Sequence, residues 1–437
     1  MVENSRKHVT LLVCYYWPPS SGGGLMRWFK MSKYWEDKNH KLIIYTPQVD
    51  NPPGYDPTLE SQIPSNLEVI KSPIWEPHKL YARFMGKKDK GVYSGFIQEE
   101  KPTWKSRLSI WIRSNLFIPD ARMFWIRPSI KRIWKLTRDK KIDTIITTGP
   151  PHSMHLIGLG LKKKGLDARW IADFRDPWTE IDYADQLTLT SWSRKKNEQL
   201  EKEVMSSADE LVTVTWSSKP KFEQIGNRTD VQVITNGFDP ADYKDLPESL
   251  DEKFTICHLG SMSQNRNPDN LWKALQEICL SDPKFKQDLS IKLIGDVDGM
   301  IIKKLESFDL KSNLDKRDFM PHSKGLKELA TSHLILLMMT KSSMSKSTIP
   351  GKAYEYLAIK RPILAIGESG SDVERVLESS PSACFFDFKD KGELVPFIKE
   401  QYMNYKKGGT QVVNKNINQY SRSQLAQDYK RLISSRI

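Results

Sequence analysis

The sequence has few cysteines, no long apolar segment and no excess of acidic residues. Its four cysteines, Cys14, Cys257, Cys279 and Cys384, lie far apart and show neither a Cys-x-x-Cys nor a Cys/His spacing. This argues against a zinc site or a disulfide framework and fits a reducing cytosol. The longest apolar run, from Leu334 to Met339, is far too short to span a membrane. We expect the apolar run near the N-terminus to form a first strand rather than a signal peptide, because no small-residue cleavage site follows it.

Basic residues outnumber acidic ones. There are 67 Lys and Arg against 54 Asp and Glu, a net charge of +13. An excess of this size implies an anionic partner, which could be nucleic acid, acidic lipid headgroups or a phosphorylated substrate. The composition, 38% hydrophobic and 28% charged, is that of a soluble globular protein, and 437 residues make two domains the expectation.

The chain opens with a strand, a glycine-rich turn and a helix. An apolar run from His8 to Tyr16 leads into Gly22–Gly24, and Leu25 to Trp35 then has helical spacing. This order is typical of a doubly wound α/β domain, and glycines in the turn let the backbone approach a phosphate closely. The GxGxxG fingerprint is absent, so a nicotinamide cofactor loses support.

Strands and helices alternate in two consecutive runs. Between them, Pro240 to Lys253 has no periodicity and is rich in Asp, Glu and Pro, so we place a domain boundary there. We predict a first domain over 1–240, a second over 253–415 and a C-terminal helix within 416–437 that could cross back to the first domain. The expected fold class is α/β, with two doubly wound Rossmann-like domains facing each other across a cleft.

The stretch from Lys346 to Gly367 predicts a turn, a helix from about Lys352 to Ile359 and a buried strand. The start of such a helix favours phosphate, and Glu355, one turn in, could accept hydrogen bonds from hydroxyls. Together these features suit a nucleotide-sugar. The alternative is an ordinary helix–strand unit with a solvated Glu355.

The region from Lys101 to Lys141 is basic and aromatic. A helix from about Phe124 to Lys140 carries an apolar stripe opposite its basic residues: Ile126, Ile130, Ile133 and Trp134. We expect this surface to meet anionic lipid, the alternative being a core-facing stripe with a solvated basic face. No nucleic-acid-binding signature accompanies the charge, so no nucleic acid is predicted. The preceding turn-rich residues, 51–101, read as an insertion or a partly mobile loop.

Polar residues also follow two strands predicted in the first domain. His152 comes after Asp143 to Thr148, and Asp173, Arg175 and Asp176 come after or at the end of the next strand. The carboxyl ends of parallel strands are where open α/β sheets bind ligands. The alternative for the three charged residues is a cluster that caps the next helix. A DxD match at 296–298 is expected to be a plain turn, and we predict no metal.

Several ordered blocks of the chain resemble family-4 glycosyltransferases of the GT-B fold. The blocks are YYWPPSSGGGLMR, DTIITTGPPHSMHLIGLGL with RWIADFRDPW, VITNGFD, HLGSMSQNRNPDNLWKAL and IPGKAYEYLAIKRPILAIG. DTIITTGPPHSMHLIGLGL and RWIADFRDPW resemble a bacterial polysaccharide-assembly subgroup. The resemblance implies that the second domain binds a nucleotide-sugar and the first binds the acceptor.

The resemblance also implies roles for individual residues. Glu355 would hold the ribose hydroxyls, Arg266 would bind phosphate, Lys352 would add charge, and Gly23 and Gly24 would offer backbone N–H groups from across the cleft. The full set implied for the donor is Gly23, Gly24, Ser261, Arg266, Thr348, Lys352 and Glu355, and the acceptor-side candidates are Arg27, His152, Asp173, Arg175 and Asp176. Catalysis would stabilise a departing nucleoside diphosphate without a metal or another cofactor.

Three positions depart from the family pattern. Ser261 stands where an arginine is frequent, Ser347 replaces a glutamate that usually touches the donor sugar, and Thr148 replaces a histidine near the reacting sugar. The donor sugar and the catalytic base are therefore not assigned. His152, nearby in sequence, could substitute for the missing histidine.

The main hypothesis is a retaining glycosyltransferase that moves a sugar from a nucleoside-diphosphate-sugar to a lipid-linked or oligosaccharide acceptor. It would act in surface polysaccharide synthesis (lipopolysaccharide, capsule or exopolysaccharide), in the cytoplasm and peripherally on the inner face of the membrane. The alternatives are a nucleotide-sugar epimerase or hydrolase of the same fold, and a non-enzymatic basic protein that binds membrane or nucleic acid.

Overall fold

Two parallel β-sheets organise the chain, each with helices from its own part of the sequence. The computed structural model describes residues 6–49, 54–76, 104–180, 188–342, 344–390, 392–409, 412 and 414–435. The chain divides into unit 1, Met1–Thr235 with Arg422–Ile437, and unit 2, Asn236–Ser421. The division falls a few residues before the boundary region predicted from the sequence.

Unit 1 is built on a seven-stranded sheet in the order β3-β2-β1-β4-β5-β6-β7. All of its strand pairs are parallel. The order reverses direction between β1 and β4, which places a crevice beyond their carboxyl ends. The elements are β1 (His8–Val13), α1 (Gly23–Ser32), β2 (His40–Gln48), β3 (Glu68–Pro73), α2 (Trp104–Leu116), α3 (Met123–Asp139), β4 (Thr144–Gly149), α4 (Ser153–Lys163), β5 (Arg169–Phe174), α5 (Ser191–Ser207), β6 (Glu210–Thr213), α6 (Ser218–Gly226), β7 (Gln232–Val233) and α14 (Arg422–Ser434).

Unit 2 is built on a six-stranded parallel sheet in the order β10-β9-β8-β11-β12-β13. Here the reversal lies between β8 and β11, so the corresponding crevice opens beyond those two strands. The elements are β8 (Phe254–Leu259), α7 (Asp269–Ser281), α8 (Pro283–Asp288), β9 (Leu289–Ile294), α9 (Gly299–Ser307), β10 (Leu314–Arg317), α10 (His322–Thr331), β11 (Leu334–Met338), α11 (Gly351–Ile359), β12 (Ile363–Gly367), α12 (Asp372–Leu377), β13 (Ala383–Asp387) and α13 (Leu394–Lys406).

The central strands are buried on both faces, and their sequences explain why. Leu11, Leu12 and Val13 on β1 are all fully buried, as are Leu336 and Ile335 on β11. Continuous apolar runs of this length suit strands covered by helices on both sides of a parallel sheet. The prediction of two doubly wound Rossmann-like domains is confirmed.

The C-terminal helix α14 packs in unit 1, against α1. Tyr429 lies 4.8 Å from Trp28 and 6.3 Å from Trp35, measured between ring centroids. The next residue, Lys430, donates through Nζ to Asp37 Oδ2 at 2.7 Å. Aromatic packing and an ion pair at consecutive residues therefore hold α14 on α1 and on the segment that follows it.

Part of the turn-rich region is regular structure. Residues 68–73 pair with β2 as the edge strand β3. The sequence pattern does not predict this strand, because one side of an edge strand is exposed and carries polar residues. Residues 50–53 and 77–103, which the predicted insertion also covers, lie outside the described residues. None of the helices that the structure describes is long and apolar enough to cross a membrane.

Candidate functional site

In the turn after β8, the backbone of Gly260 lies in close contact with the ammonium group of Lys352. Gly260 has φ +114°, a conformation that favours glycine, and a Cβ added there would collide with Lys352 Nζ. Gly295, after β9, also has positive φ, and a Cβ there would lie 2.9 Å from the Gly260 carbonyl oxygen. Gly260 therefore leaves room for Lys352 at the end of β8, and Gly295 leaves room for the backbone of Gly260.

The helix that carries Lys352 is fixed over the same strand end. α11 begins at Gly351, after Pro350 and one residue before the start predicted from the sequence. On its inner face, the Tyr356 hydroxyl donates to the Leu259 carbonyl at 3.4 Å. The amide groups at the start of α11 and the Lys352 ammonium are thus held near the crevice of unit 2.

Arg266 links the two strands between which the order reverses. Its Nε donates to Thr340 Oγ1 at 2.9 Å, and its Nη1 donates to the Ser261 carbonyl at 3.2 Å. Ser261 follows β8, and Thr340 follows β11. Arg266 therefore lies across the point where ligands bind in open α/β sheets.

The two cations of this site act on each other. Burial and the nearby Arg266 lower the pKa of Lys352 to about 8, although Glu355 opposes them. Burial, followed by Lys352, also lowers the pKa of the buried His258 to about 4. Among the described residues, neither Arg266 nor Lys352 forms an ion pair with a carboxylate. Two partly desolvated cations that are held together, neither of them in an ion pair with a described carboxylate, constitute a site that a phosphate would stabilise.

Glu355 lies one turn further along α11 and is partly exposed. Its Oε1 is 3.2 Å from Nε2 of His322, the first residue of α10. The side chain is 28% exposed, so the carboxylate keeps access to solvent. Of the other predicted donor residues, Ser261 is exposed, and Thr348 Oγ1 donates to the Met344 carbonyl at 2.9 Å.

The DxD match forms a turn and a helix cap. The Asp298 side chain accepts from Met300 N at 2.8 Å and caps α9, while the Asp296 carbonyl accepts from Met262 N at 2.8 Å. Within the described ranges, no group of three or more His, Cys, Asp or Glu side chains is placed to hold a metal ion.

In unit 1, Arg27 and Asp173 form a buried ion pair. Both side chains are almost fully buried, and Arg27 Nη2 lies 3.2 Å from Asp173 Oδ1. The carboxylate also accepts from Trp28 Nε1 at 2.7 Å, Tyr429 OH at 2.7 Å and Thr148 Oγ1 at 2.8 Å. Burial raises the pKa of Asp173, but Arg27 and these donors outweigh it and lower the pKa overall. The pair joins α1, β4, β5 and α14, so its geometry is that of a structural network.

Arg175 joins the start of α1 to the loop after β4 at the crevice of unit 1. Its guanidinium donates to the carbonyl oxygens of Gly24, in the first turn of α1, and of Pro150, after β4. A Cβ at Gly24 would lie 2.7 Å from Arg175 Nη1, so a larger residue there would displace the guanidinium. Gly23 begins α1, and Asp176 is exposed. The predicted contact of Gly23 and Gly24 with the donor stays a prediction.

Two histidines stack on aromatic side chains behind the loop after β4. His152 is partly buried and lies parallel to Trp178, with ring centroids 5.0 Å apart, and His155 stacks on Phe174 at 4.1 Å. Burial lowers the pKa of His155 to about 3 and lowers that of His152 well below its usual value. Both imidazoles are therefore neutral at pH 7.

The apolar stripe of α3 faces the core of unit 1. Trp125 and Ile133 are fully buried, and Ile126, Ile130 and Trp134 pack against the same cluster. The core-facing alternative is the one that the structure shows, and the basic residues of α3 remain on the outside. The expectation that this stripe itself meets lipid is wrong, because the sheet of unit 1 already covers it.

Sequence reasoning missed His322, Thr340 and the role of Gly295. His322 follows β10, whose sequence Leu-Asp-Lys-Arg is too polar to be recognised as a strand. Had β10 been identified as a strand, the residues that follow its carboxyl end would have been candidates for contact with a ligand.

Solved structures with the same architecture identify the fold as GT-B. A glycosyltransferase from Rickettsia africae ESF-5 matches with a TM-score of 0.59 at 12% identity, over 99% of both chains. An E. coli structure described as trehalose-6-phosphate bound with UDP-2-fluoro glucose matches with a TM-score of 0.57 at 11% identity, over 98% of this chain and 99% of that one. A putative UDP-N-acetylglucosamine 2-epimerase from Listeria monocytogenes matches with a TM-score of 0.56 at 12% identity, over 98% and 96%. No family model matches the sequence, and no curated protein matches it. At these identities the likeness establishes the fold alone.

Proposed function

We propose that the protein is a glycosyltransferase whose unit 2 binds a nucleoside-diphosphate-sugar. The observation that carries the proposal is the convergence of Arg266 and Lys352 on the turn at Gly260. Two mutually repelling cations at the start of a helix form a site for a diphosphate. Glu355, one turn along, is placed to accept hydrogen bonds from the ribose hydroxyls.

The same groups would stabilise the leaving group. As the bond from the sugar to the diphosphate breaks, negative charge grows on the departing phosphate oxygen. Arg266, Lys352 and the first-turn amides of α11 are fixed cationic or dipolar donors for that charge, so they act more strongly on the transition state than on the ground state. We propose a metal-independent, retaining reaction in which the departing phosphate accepts the proton of the acceptor hydroxyl. No protein side chain is assigned as the base.

For the acceptor we propose a lipid-linked sugar used in surface polysaccharide assembly. The resemblance to family-4 enzymes of that kind supports this, as does the basic surface that α3 presents in unit 1. The proposed location is the cytoplasm, with the protein peripheral on the inner face of the membrane. Arg175, which joins the start of α1 to the loop after β4, would keep the crevice of unit 1 in one shape for the acceptor.

Calorimetry with UDP, GDP and ADP tests the donor site. We expect saturable binding of one nucleoside diphosphate, weakened at least tenfold in Lys352→Met. The matched control is Lys327→Met, which removes an exposed lysine of α10 in the same unit. If none of the three nucleotides binds, or if both variants bind like the wild type, the assignment of the site is wrong.

A screen of nucleotide-sugars against lipid extract then tests the reaction. Transfer of the sugar into the lipid fraction supports the proposal and identifies the donor. The solved epimerase of the same fold makes an epimerase or hydrolase the second candidate. That candidate predicts consumption of the nucleotide-sugar without any acceptor. A non-enzymatic basic binding protein predicts neither activity and no saturable nucleotide binding.

A further inference from the structure

Helix α2 buries small polar side chains and exposes large apolar ones. Trp104, Leu108 and Trp111 are 67%, 39% and 41% exposed, whereas Ser109 and Asn115 are 5% and 2% exposed. The three apolar residues are spaced by four and three positions, so they form one stripe along the helix. An ordinary amphipathic helix of a soluble protein has the opposite distribution.

Hydrogen bonds made by the buried polar side hold α2 in this orientation. Asn115 Nδ2 donates to the Thr188 carbonyl at 2.8 Å, and Asn115 Oδ1 accepts from Thr190 N at 2.7 Å and from Ser193 Oγ at 2.5 Å. These bonds attach the end of α2 to the first turn of α5. Trp192, in that turn, is 65% exposed. The outward tryptophans are thus the consequence of a satisfied polar contact on the other side of the helix.

A stripe of positive charge lies on the next helix. The outward residues of α3 recur at intervals of three and four and form the basic stripe: Arg127, Lys131, Arg132, Lys135 and Arg138. Among the described residues, Arg127, Lys131, Arg132 and Lys135 form no ion pair with a carboxylate. On α2 itself, Arg107 and Arg113 are also exposed. The apolar stripe of α2 therefore belongs to a strongly basic part of unit 1.

We propose that α2 is a membrane-docking helix, whose apolar stripe enters the headgroup region of an anionic bilayer while the basic stripe of α3 lies on the lipid phosphates. Tryptophan is the residue that membrane–water interfaces favour, and arginine beside it pairs with phosphate. Each basic residue near such a surface adds attraction to anionic lipid. The choice of a bilayer over another anionic surface rests on the lipid-linked acceptor proposed above.

Binding of the full chain to vesicles tests the docking helix without any turnover. Vesicles of phosphatidylcholine alone are compared with vesicles containing about a third phosphatidylglycerol, at low and high salt. We expect binding to the anionic vesicles that weakens with salt, and quenching of tryptophan fluorescence by brominated lipid chains. Binding that is equal for neutral and anionic vesicles, or absent from both, overturns the proposal.

Substitutions of exposed apolar residues on α2 and on α7 test whether vesicle binding depends on α2. Leu108→Ser on α2 should weaken vesicle binding several-fold, and Trp111→Ser should weaken it about tenfold and reduce the quenching. Leu280→Ser, on α7 of unit 2, removes another exposed leucine, which is 77% exposed, and should leave binding unchanged. Equal binding by the α2 variants and the control would refute docking through α2. All three changes are at exposed positions, and thermal melting checks that the folds are equally stable.

Two further readouts separate this inference from its alternatives. If α2 covers a second copy of the chain, the α2 variants will change the oligomeric state in gel filtration without changing vesicle binding, and the inference is wrong. If RNA is the partner, it will compete with the vesicles and bind the wild type more tightly than they do, and the inference is again wrong. Nucleotide binding by the α2 variants should equal that of the wild type, so loss of docking and failure of the donor site are distinguishable.

Discussion

Replacing Lys352 by Met should weaken nucleotide binding and at the same time stabilise the protein. In the absence of a ligand, Lys352 is a partly buried cation next to a second cation, Arg266. The methionine side chain has a similar length and no charge, so it removes the repulsion and the desolvation without leaving a large cavity. The charge of Lys352 therefore strengthens nucleotide binding and weakens the stability of unit 2.

The magnitude follows from the pKa. Lowering the pKa of Lys352 from 10.5 to about 8 means that the folded state disfavours the charged form by about 3 kcal/mol at pH 7. Part of that cost is relieved in water, so we expect Lys352→Met to raise the free energy of unfolding by about 1–3 kcal/mol. Loss of a charged donor to phosphate should cost about 1.5–3 kcal/mol of binding, which is about ten- to a hundredfold in Kd.

The pH dependence has a definite sign. Between pH 8 and 10.5 the lysine holds its proton in the unfolded chain and has lost it in the folded one, so the stability contributed by this group rises with pH in that window. The advantage of Lys352→Met over the wild type should therefore be largest below pH 8 and vanish by about pH 10.5. Nucleotide binding needs the charged form, so the affinity of the wild type should fall as the pH rises above about 8.

Denaturant unfolding and calorimetry across this pH range check both effects. The exposed Lys327→Met change should alter neither property. The reasoning is refuted if Lys352→Met destabilises the protein at pH 7. It is also refuted if the variant keeps the decline of nucleotide affinity above pH 8, because another group would then be titrating.

Three other changes follow from the same contacts. Asp173→Asn leaves a buried arginine without its charge partner and should lower the free energy of unfolding by about 3–5 kcal/mol, measured by urea unfolding, whereas the exposed Asp167→Asn should change little. Gly260→Ala combines a strained positive φ with a collision at the Lys352 ammonium group. Nucleotide affinity should therefore fall, and the free energy of unfolding should fall by about 1–3 kcal/mol. Gly299→Ala, where a Cβ would meet open space, serves as the control. Glu355→Gln should weaken binding of a ribonucleoside diphosphate more than that of its deoxy analogue, and equal losses for the two would exclude contact with the ribose 2′-hydroxyl.

The pattern of the sequence was sufficient for the strands and helices that position the site. The strand from Phe254 to Leu259 and the helix after Pro350 were recognisable, because buried parallel strands are continuous apolar runs and helix starts have Pro and Gly signals. The glycine-rich turn was predicted two residues too long, since α1 already begins at Gly23. The edge strands β3 and β10 were not predicted, because half of such a strand is exposed and its residues are polar. His322, which follows β10, was therefore not recognised as a candidate site residue.

The charged candidates of unit 1 show where pattern reasoning stops. Asp173 and Arg175 follow or end a strand, so from the sequence both are candidates for contact with a ligand. In the structure, Asp173 lies among five donor atoms of the protein, and Arg175 donates to two backbone carbonyls. Whether a charged side chain is satisfied within the fold depends on partners up to 256 positions away, such as Tyr429, which no local spacing reveals.

The sequence by itself determined the fold class, the two-domain plan and the helix that follows Pro350, since each of these depends on local periodicity and turn chemistry. Only the tertiary structure decided which faces those elements present. It turned the apolar stripe of α3 to the core and the tryptophans of α2 to the outside. It also brought Lys352 and Arg266, 86 positions apart in the printed sequence, to one turn after β8. Burial and electrostatic repulsion act between residues that are close in space, and it is their balance at this turn that makes it a candidate site for a diphosphate.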